Sequence, residues 1–338
     1  MISEGRFQDA IDLLNSASRI LVTTHIKPDG DACGSLAAMV YGLLGINKHV
    51  QPVFLTPVPE WYRPFVPPDI KLLGKDIDQQ QLIDEDYDLV VLVDVNSIAQ
   101  LEGIEDLVTK PGKDALVIDH HVTSDRLGTL ELVDTTAAAT GTIVLELFRH
   151  AGWQVSGPVA QALFVAVATD TGWFQHTNTD GRALRACAEL VDAGVRPAAL
   201  YAQLYQQFSL PRFRLLVAML NSLQLYFGGR LAILCLRKAD FQRTQASRKD
   251  TENLINEVYK LASVVVSVLL VEMEDGRVHC SLRSRTSVQG KGPVVDVSKV
   301  AASLGGGGHM NAAGAYLDGP IEDALTKLLA ILRPYLEG

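Results

Sequence analysis

Short apolar runs alternate with longer stretches of helical period through the first half of the chain. Ile20 to Thr24, His49 to Leu55, Leu89 to Asp94 and Ala115 to Asp119 read as strands. Their continuous Val, Ile and Leu, in place of strict alternation, mark strands buried on both faces. Between them apolar positions recur three and four residues apart, as in Gly34 to Leu44, and the helices Thr142 to Gly152 and Pro158 to Thr169 close this half. Strand and helix in alternation predict an α/β domain, a parallel sheet with helices on both faces. From Asp180 to about Phe227 the pattern is almost wholly helical, without a Pro/Gly/Ser-rich tether. Beyond it Arg230 to Leu236, Val264 to Met273 and Val278 to Arg283 read as strands, with Thr251 to Leu261 and Ile321 to Leu336 as helices. The expected organisation is a first domain over 1–185, a helical connector over 186–228 and a smaller mixed α/β domain over 229–338.

At 338 residues the chain needs neither disulfide nor metal merely to form a core. Cys33, Cys187, Cys235 and Cys280 form no short-spaced pair, which argues against a disulfide scaffold and a structural zinc site and for a reducing cytoplasm. The opening MISEGRFQDA lacks the order of an export signal. The longest apolar run, Leu261 to Val271, falls well short of the ~20 residues of a spanning helix, so no membrane is expected. A net charge of -9 speaks at first against nucleic acid as a partner.

The polar residues just past each strand of the first domain change that picture, because ligands of open α/β sheets collect at the carboxyl ends of the strands. THIKPDGDACGS places His25, Asp29 and Asp31 in one loop, VDVNS adds Asp94, IDHH adds Asp119, His120 and His121, and VATDTGWF puts Asp170 at a helix end. Any one of these Asp residues could be a helix cap or a turn former. Four segments delivering carboxylate and imidazole to one place are hard to explain as capping. Nitrogen and carboxylate oxygen without thiolate suit Mn²⁺, Mg²⁺ or Fe²⁺, and the set suffices for two ions. Two divalent cations ~3.5–4 Å apart form the clamp for in-line displacement at phosphorus, so phosphoester hydrolysis is the expected chemistry.

The second domain offers a different site. In SLRSR, Arg283 and Arg285 fall two apart, on one strand face by the period of two. LGGGGHMNAAG sets Gly306, Gly307 and Gly308, with one more glycine, before His309. Glycine amides can approach an anion closely, and Arg or His beside them would hold a phosphate or carboxylate. The bland alternatives are a flexible linker or a helix C-cap after VDVSKVAASL. Trp173 and Phe174, next to Asp170, could stack on a base, but a packed core position accounts for them as well.

HIKPDGD, VDVNS, IDHH and VATDTGWF resemble, in order and approximate spacing, the four motifs of the DHH phosphoesterase superfamily, which includes RecJ-type nucleases and manganese-dependent pyrophosphatases. SLRSR followed by GGGGHMNAAG resembles the DHH-associated C-terminal domain of the oligoribonuclease and pAp-phosphatase (nanoRNase) branch, so the resemblance covers nearly the whole chain. It implies one metal on His25, Asp29 and Asp94 and a second on Asp31, Asp94, His120 and Asp170, with Asp94 bridging and Mn²⁺ the expected ion. Asp119 and His121 then become the catalytic pair, orienting ligands or meeting the substrate phosphate. Arg283 and His309, with Arg285 and the glycine loop, are implied to bind the terminal nucleotide or its phosphate.

The expected enzyme is a metal-dependent phosphoesterase that cuts very short RNA, including linear dinucleotides, to mononucleotides and takes the 3′-phosphate from pAp. A cyclic or linear dinucleotide phosphodiesterase is the alternative within the class. A catalytically silent nucleotide sensor or RNA-binding module is the alternative outside it, and would be expected to have lost a ligand. The oligomeric state, a homodimer included, stays open. The charge now bears on substrate length: five Asp gather at one site, and residues 277 to 299 carry five basic residues against Asp296. What the acidic total excludes is a broad basic track for long nucleic acid.

Overall fold

The computed structural model describes residues 1–109, 114–285 and 294–337, and Lys291 of the basic segment lies outside them. The chain divides into two compact units, Met1–Gln206 and Gln207–Gly338.

The first unit is built on a six-stranded parallel sheet of order β3-β2-β1-β4-β5-β6. Its strands are β1 (Arg19–Thr23), β2 (His49–Phe54), β3 (Lys71–Leu72), β4 (Leu89–Val93), β5 (Asp114–Asp119) and β6 (Leu130–Val133). Helices α1 (Glu4–Ser16), α2 (Gly30–Gly45), α3 (Gln79–Asp84), α4 (Glu105–Thr109), α5 (Thr140–Ala151), α6 (Gly157–Asp170), α7 (Gly181–Asp192) and α8 (Pro197–Tyr205) complete it. The period of two sends Val91 and Val93 of β4 to one face and Val90 and Leu92 to the other. Both faces are covered, the first by α1, α2 and α5 to α8, the second by α3, α4 and their flanking turns. That double burial is why β4 reads as an unbroken apolar run.

Two glycines set how closely the helices over the first face approach. A Cβ on Gly34 of α2 would lie 2.4 Å from the Ala162 carbonyl oxygen of α6, and one on Gly141 of α5 would lie 2.5 Å from Ala166 Cβ. Only glycine permits the crossing, and it brings the N-termini of α2 and α5 beside the C-terminus of α6.

Within the stretch read as a connector, α7 and α8 bury Cys187, Leu190, Leu200 and Leu204 in the first unit's core. The next helix, α9 (Leu210–Asn221), buries Leu215 and Met219 in the second unit.

The second unit carries a mixed six-stranded sheet of order β11-β12-β10-β9-β8-β7. The strands are β7 (Gln224–Tyr226), β8 (Leu231–Leu236), β9 (Val266–Glu272), β10 (Val278–Ser284), β11 (Gly307–His309) and β12 (Ala312–Leu317), and only β8 and β9 pair in parallel. Helices α10 (Lys238–Thr244), α11 (Val297–Ser303) and α12 (Ile321–Leu336) flank it. The helix expected over Thr251 to Leu261 is instead two 3₁₀ segments, Arg248–Thr251 and Leu254–Lys260, because Asn253 between them takes φ 61°. Among the described residues no helix is long and apolar enough to cross a membrane.

Candidate metal centre

Strands β1, β4 and β5 are neighbours and parallel, so the residues that follow them emerge at one sheet edge. The chain leaves β1 toward β2 on one side and β4 toward β5 on the other, the crevice where such sheets bind ligands. His25 comes two residues after β1, Asp94 follows β4 directly, Asp119 ends β5, and His120 and His121 follow it. Asp94 adopts φ 58°, a left-handed conformation that costs a non-glycine residue ~1–3 kcal/mol and clusters at functional sites. Its amide still donates to the Ile118 carbonyl at 2.9 Å, so the strain lies at the turn itself.

Helices supply the rest. Asp29 is the N-cap of α2, accepting the Ala32 amide at 3.1 Å, and Asp31 lies in the first turn. Asp170 ends α6. Helix α5 has Ala139 at its N-cap, which offers no side-chain acceptor. Its first amides turn instead to Asp31: Thr140 N–H donates to Oδ2 at 2.6 Å and Gly141 N–H to Oδ1 at 2.9 Å. The Asp31 carboxylate thus caps a second helix, where the dipole favours an anion.

The side chains converge in three groups, each with ligand atoms within 4.8 Å of one another: His25, Asp29 and Asp94; Asp31, His120 and Asp170; and Asp94, His120 and His121. His25 and His120 are each oriented by the nitrogen that faces away from the carboxylates. His25 Nδ1 lies 2.7 Å from the Ile26 carbonyl, leaving Nε2 to face Asp94 Oδ2 at 3.6 Å. His120 Nδ1 lies 3.2 Å from the Ala137 carbonyl, and its Nε2 faces Asp94, Asp170 and Asp31 at 3.7, 3.8 and 3.9 Å. His121 Nδ1 bonds Asp119 Oδ1 at 2.7 Å, and the other oxygen of this buried carboxylate has no partner. Backbone carbonyls and carboxylates that fix an imidazole this way are the usual outer shell of metal-binding histidines.

Carboxylates crowd the site, and only imidazoles oppose them. Burial, and then repulsion from Asp94, raise the Asp29 carboxyl and drive Asp31 well above the ordinary range. Asp170 is pushed up to about 6, first by burial and then by Asp94 and Asp29, against the pull of His120. Burial also works against ionised Asp94, but His25, His120 and His121 outweigh it and the net shift is downward. His121 rises to about 9, chiefly through its bond to Asp119. Among the described residues no Lys or Arg pairs with any of these carboxylates; their only ion-pair partners are the histidines. Hard oxygen donors and imidazole nitrogens, buried together with no Lys or Arg paired to them among the described residues, fit divalent metal ions.

Three supporting residues escaped the sequence reading. Ser35 donates to Asp31 Oδ1 at 2.8 Å, and its spacing of four from Asp31 on one helix was the available signal. Thr140 donates its hydroxyl to Asp94 Oδ1 at 3.0 Å, and Asn178 bonds Asp170 at its Oδ2 (3.3 Å) and its carbonyl (3.2 Å). Neither belongs to a motif. Trp173 packs edge-on to Tyr201 and Phe164, with ring centroids 5.0 and 5.9 Å away, so it is part of the packed interior. Cys33 is fully buried with its thiol pushed well up by burial, which leaves it inert.

In the second unit the register aligns His309 with Ala312 and Ala312 with Arg283, placing the two candidate side chains on one row of the sheet. Arg285 goes elsewhere. It lies past the end of β10, where the period of two no longer sets direction, and its guanidinium bonds the carbonyls of Tyr259, Leu261 and Ala262. The glycines differ among themselves: a Cβ on Gly306 or Gly308 would strike β12 backbone at 2.1 or 2.6 Å, whereas one on Gly307 would meet open space.

The family model for the DHH family, N-terminal domain, matches residues 19–168, and that for the DHHA1 domain matches residues 228–338. The bifunctional oligoribonuclease and PAP phosphatase NrnA of Thermus thermophilus is 31% identical over 94% of this chain and 90% of its own. Its namesake in Bacillus subtilis is 27% identical over 88% of each. Among solved structures, an exopolyphosphatase-related protein from Bacteroides fragilis superposes with a TM-score of 0.86 at 23% identity, over 99% of this chain and 97% of that one, which shows a common fold.

Proposed function

The chain belongs to the DHH family, and from that premise and the caged carboxylates and imidazoles we propose that it is a two-metal phosphoesterase acting on very short RNA. It hydrolyses oligoribonucleotides down to linear dinucleotides, releasing mononucleotides, and takes the 3′-phosphate from pAp. The similarity to the Thermus and Bacillus bifunctional enzymes along almost their whole length supports both activities. The observation that carries the reading is the position of Asp94, whose carboxylate oxygens face His25 on one side and His120 on the other.

His25, Asp29 and Asp94 would hold one ion and Asp31, Asp94, His120 and Asp170 the other, with Mn²⁺ the ion proposed. Bound there, the ions supply a water of lowered pKa and neutralise charge on attacking and leaving oxygens. His121, the more exposed histidine of its pair and fixed by Asp119, presents a positive charge to the substrate phosphate. Arg283 and His309 hold the terminal nucleotide. Four free thiols suit a reducing cytoplasm.

The test is a substrate panel with product chromatography: pApA, pGpG, a pentanucleotide, pAp, cyclic di-AMP and pyrophosphate, each with Mn²⁺. Release of mononucleotide from pApA and of AMP from pAp is expected, with loss of both in Asp94→Ala. Inertness of the wild-type protein on every substrate would overturn the reading in favour of a silent sensor.

A further inference from the structure

The sheet of the second unit has two unlike faces. Val278, Cys280 and Leu282 of β10 turn to the core under α11 and α12, while His279, Ser281 and Arg283 turn the other way. Over β8 and β9 this other face is covered by α9 and the segment around Leu254–Val258. Over β10, β12 and β11 its residues are half-buried or exposed. Register sorts them into three rows: Arg283, Ala312 and His309; then Ser281, Gly314 and Gly307; then His279 and Tyr316. The middle row holds nothing larger than serine, so a bare floor separates two polar rows. Four residues along a strand separate the outer rows, about 14 Å at ~3.4 Å per residue, which is the scale of a dinucleotide and exceeds that of a mononucleotide.

The far row has the components of a base platform. Tyr316 is 50% exposed, its ring centroid 4.9 Å from that of His279. Arg277 lies 4.9 Å from the Tyr316 ring centroid and is neutralised by Asp275, so it props the ring and leaves phosphate to others. Arg248 lies close enough to His279 to help burial lower its pKa, and its guanidinium touches Met273 Sδ. Neither Arg248 nor Arg283 has a carboxylate in ion-pair distance among the described residues. The carboxylates that line a cavity with Arg248, namely Glu272, Glu274 and Asp275, pair with Arg237, Lys238 and Arg277, which leaves the Arg248 guanidinium for a phosphate.

Resting on the reading of this protein as a short-RNA hydrolase, we propose that the uncovered sheet face is a second nucleotide subsite. With the terminal nucleotide at Arg283 and His309, the chain of the same RNA runs over the Gly314 floor, a further base stacks on Tyr316, and Arg248 meets a backbone phosphate. Base stacking on an exposed aromatic is tolerant of sequence. The subsite therefore selects for length, engaging oligonucleotides and leaving pAp untouched.

The experiment compares KM and kcat of full-length wild type, Tyr316→Ala, Tyr316→Trp and Arg248→Ala on pApApA and on pAp with Mn²⁺. Tyr316→Ala is expected to raise KM for pApApA about tenfold relative to KM for pAp, with kcat kept and Tyr316→Trp restoring the ratio. Arg248→Ala should raise the same ratio and flatten the dependence of log KM on log salt by about one unit. An unchanged ratio in Tyr316→Ala, or an equal rise for both substrates, overturns the proposal. Should wild type hydrolyse neither substrate, the hydrolase reading falls, and fluorescence anisotropy of 3′-labelled pApApA with metal-free protein decides the subsite. Weaker binding by Tyr316→Ala than by wild type then supports it, and equal binding overturns it.

Discussion

The hydroxyl of Thr140 lies 3.0 Å from Asp94 Oδ1, and both residues are fully or almost fully buried. The backbone amide of the same threonine bonds Asp31 at 2.6 Å, so one residue at the start of α5 ties together a carboxylate from a strand end and one from a helix. Replacing Thr140 by Val keeps the amide and removes only the bond to Asp94. Mn²⁺ affinity measured calorimetrically should fall about 10- to 100-fold in Thr140→Val, the usual cost of losing an outer-shell partner, and Thr140→Ser should keep most of it.

Metal-free protein should gain stability from the cation itself. With Asp29, Asp31 and Asp170 all raised by burial and mutual repulsion, Mn²⁺ at a hundredfold excess over its Kd is expected to add about 2.7 kcal/mol per site. Ligating carboxylates must lose their protons, so the gain in Tm should shrink as pH falls through about 6, the value to which Asp170 is raised. Scanning calorimetry with EDTA or Mn²⁺ at pH 5 and 7.5 checks both parts.

Gly34→Ala should act on fold and site together. Its new Cβ meets backbone atoms of α6 at 2.4 and 2.8 Å, forcing α2 away from α6 at a cost of about 1–3 kcal/mol. Since Asp31 starts one helix and Asp170 ends the other, Mn²⁺ binding should weaken with Tm. Gly45→Ala, at the end of the same helix where a Cβ meets nothing within 4 Å, should leave both unchanged.

Away from the metal centre, Asp134 sets an acid limb. Burial pushes its carboxyl up, but bonds from the Thr136 hydroxyl (2.6 Å), the Arg182 guanidinium (2.6 Å) and the Thr136 amide (3.0 Å) outweigh it and hold the pKa well below the usual range. A depressed carboxylate stabilises fully above its unfolded pKa, ~3.9, and the contribution is lost as pH falls below that. Arg182→Met, which leaves a buried carboxylate behind, should cost about 3–5 kcal/mol at pH 7. Urea unfolding should show the gap from wild type narrowing as pH drops from 4 toward 2.

The central sheet was legible because β1, β4 and β5 are buried on both faces, and double burial writes an unbroken apolar run into the sequence. The candidate ligands were legible because they follow those strands directly. Thr140 and Asn178 were not, since each is a lone polar residue whose meaning comes from a partner 46 or 8 positions away. β11 and β12 draw on GGH and AAGAYL, poor strand formers that pair because β10 offers an edge. Arg285 looked like Arg283 in sequence, and the end of β10 between them sends its guanidinium to carbonyls of the neighbouring segment.

The proposed two-metal chemistry depends on Asp94 serving two ions at once. The most direct test is the metal content and electron paramagnetic resonance of Mn²⁺-loaded protein, wild type beside Asp94→Ala. Two Mn²⁺ per chain with an exchange-coupled signal in wild type, and loss of the coupled pair in Asp94→Ala, is the predicted result. A single uncoupled ion in wild type, or a coupled pair that survives without Asp94, would contradict it.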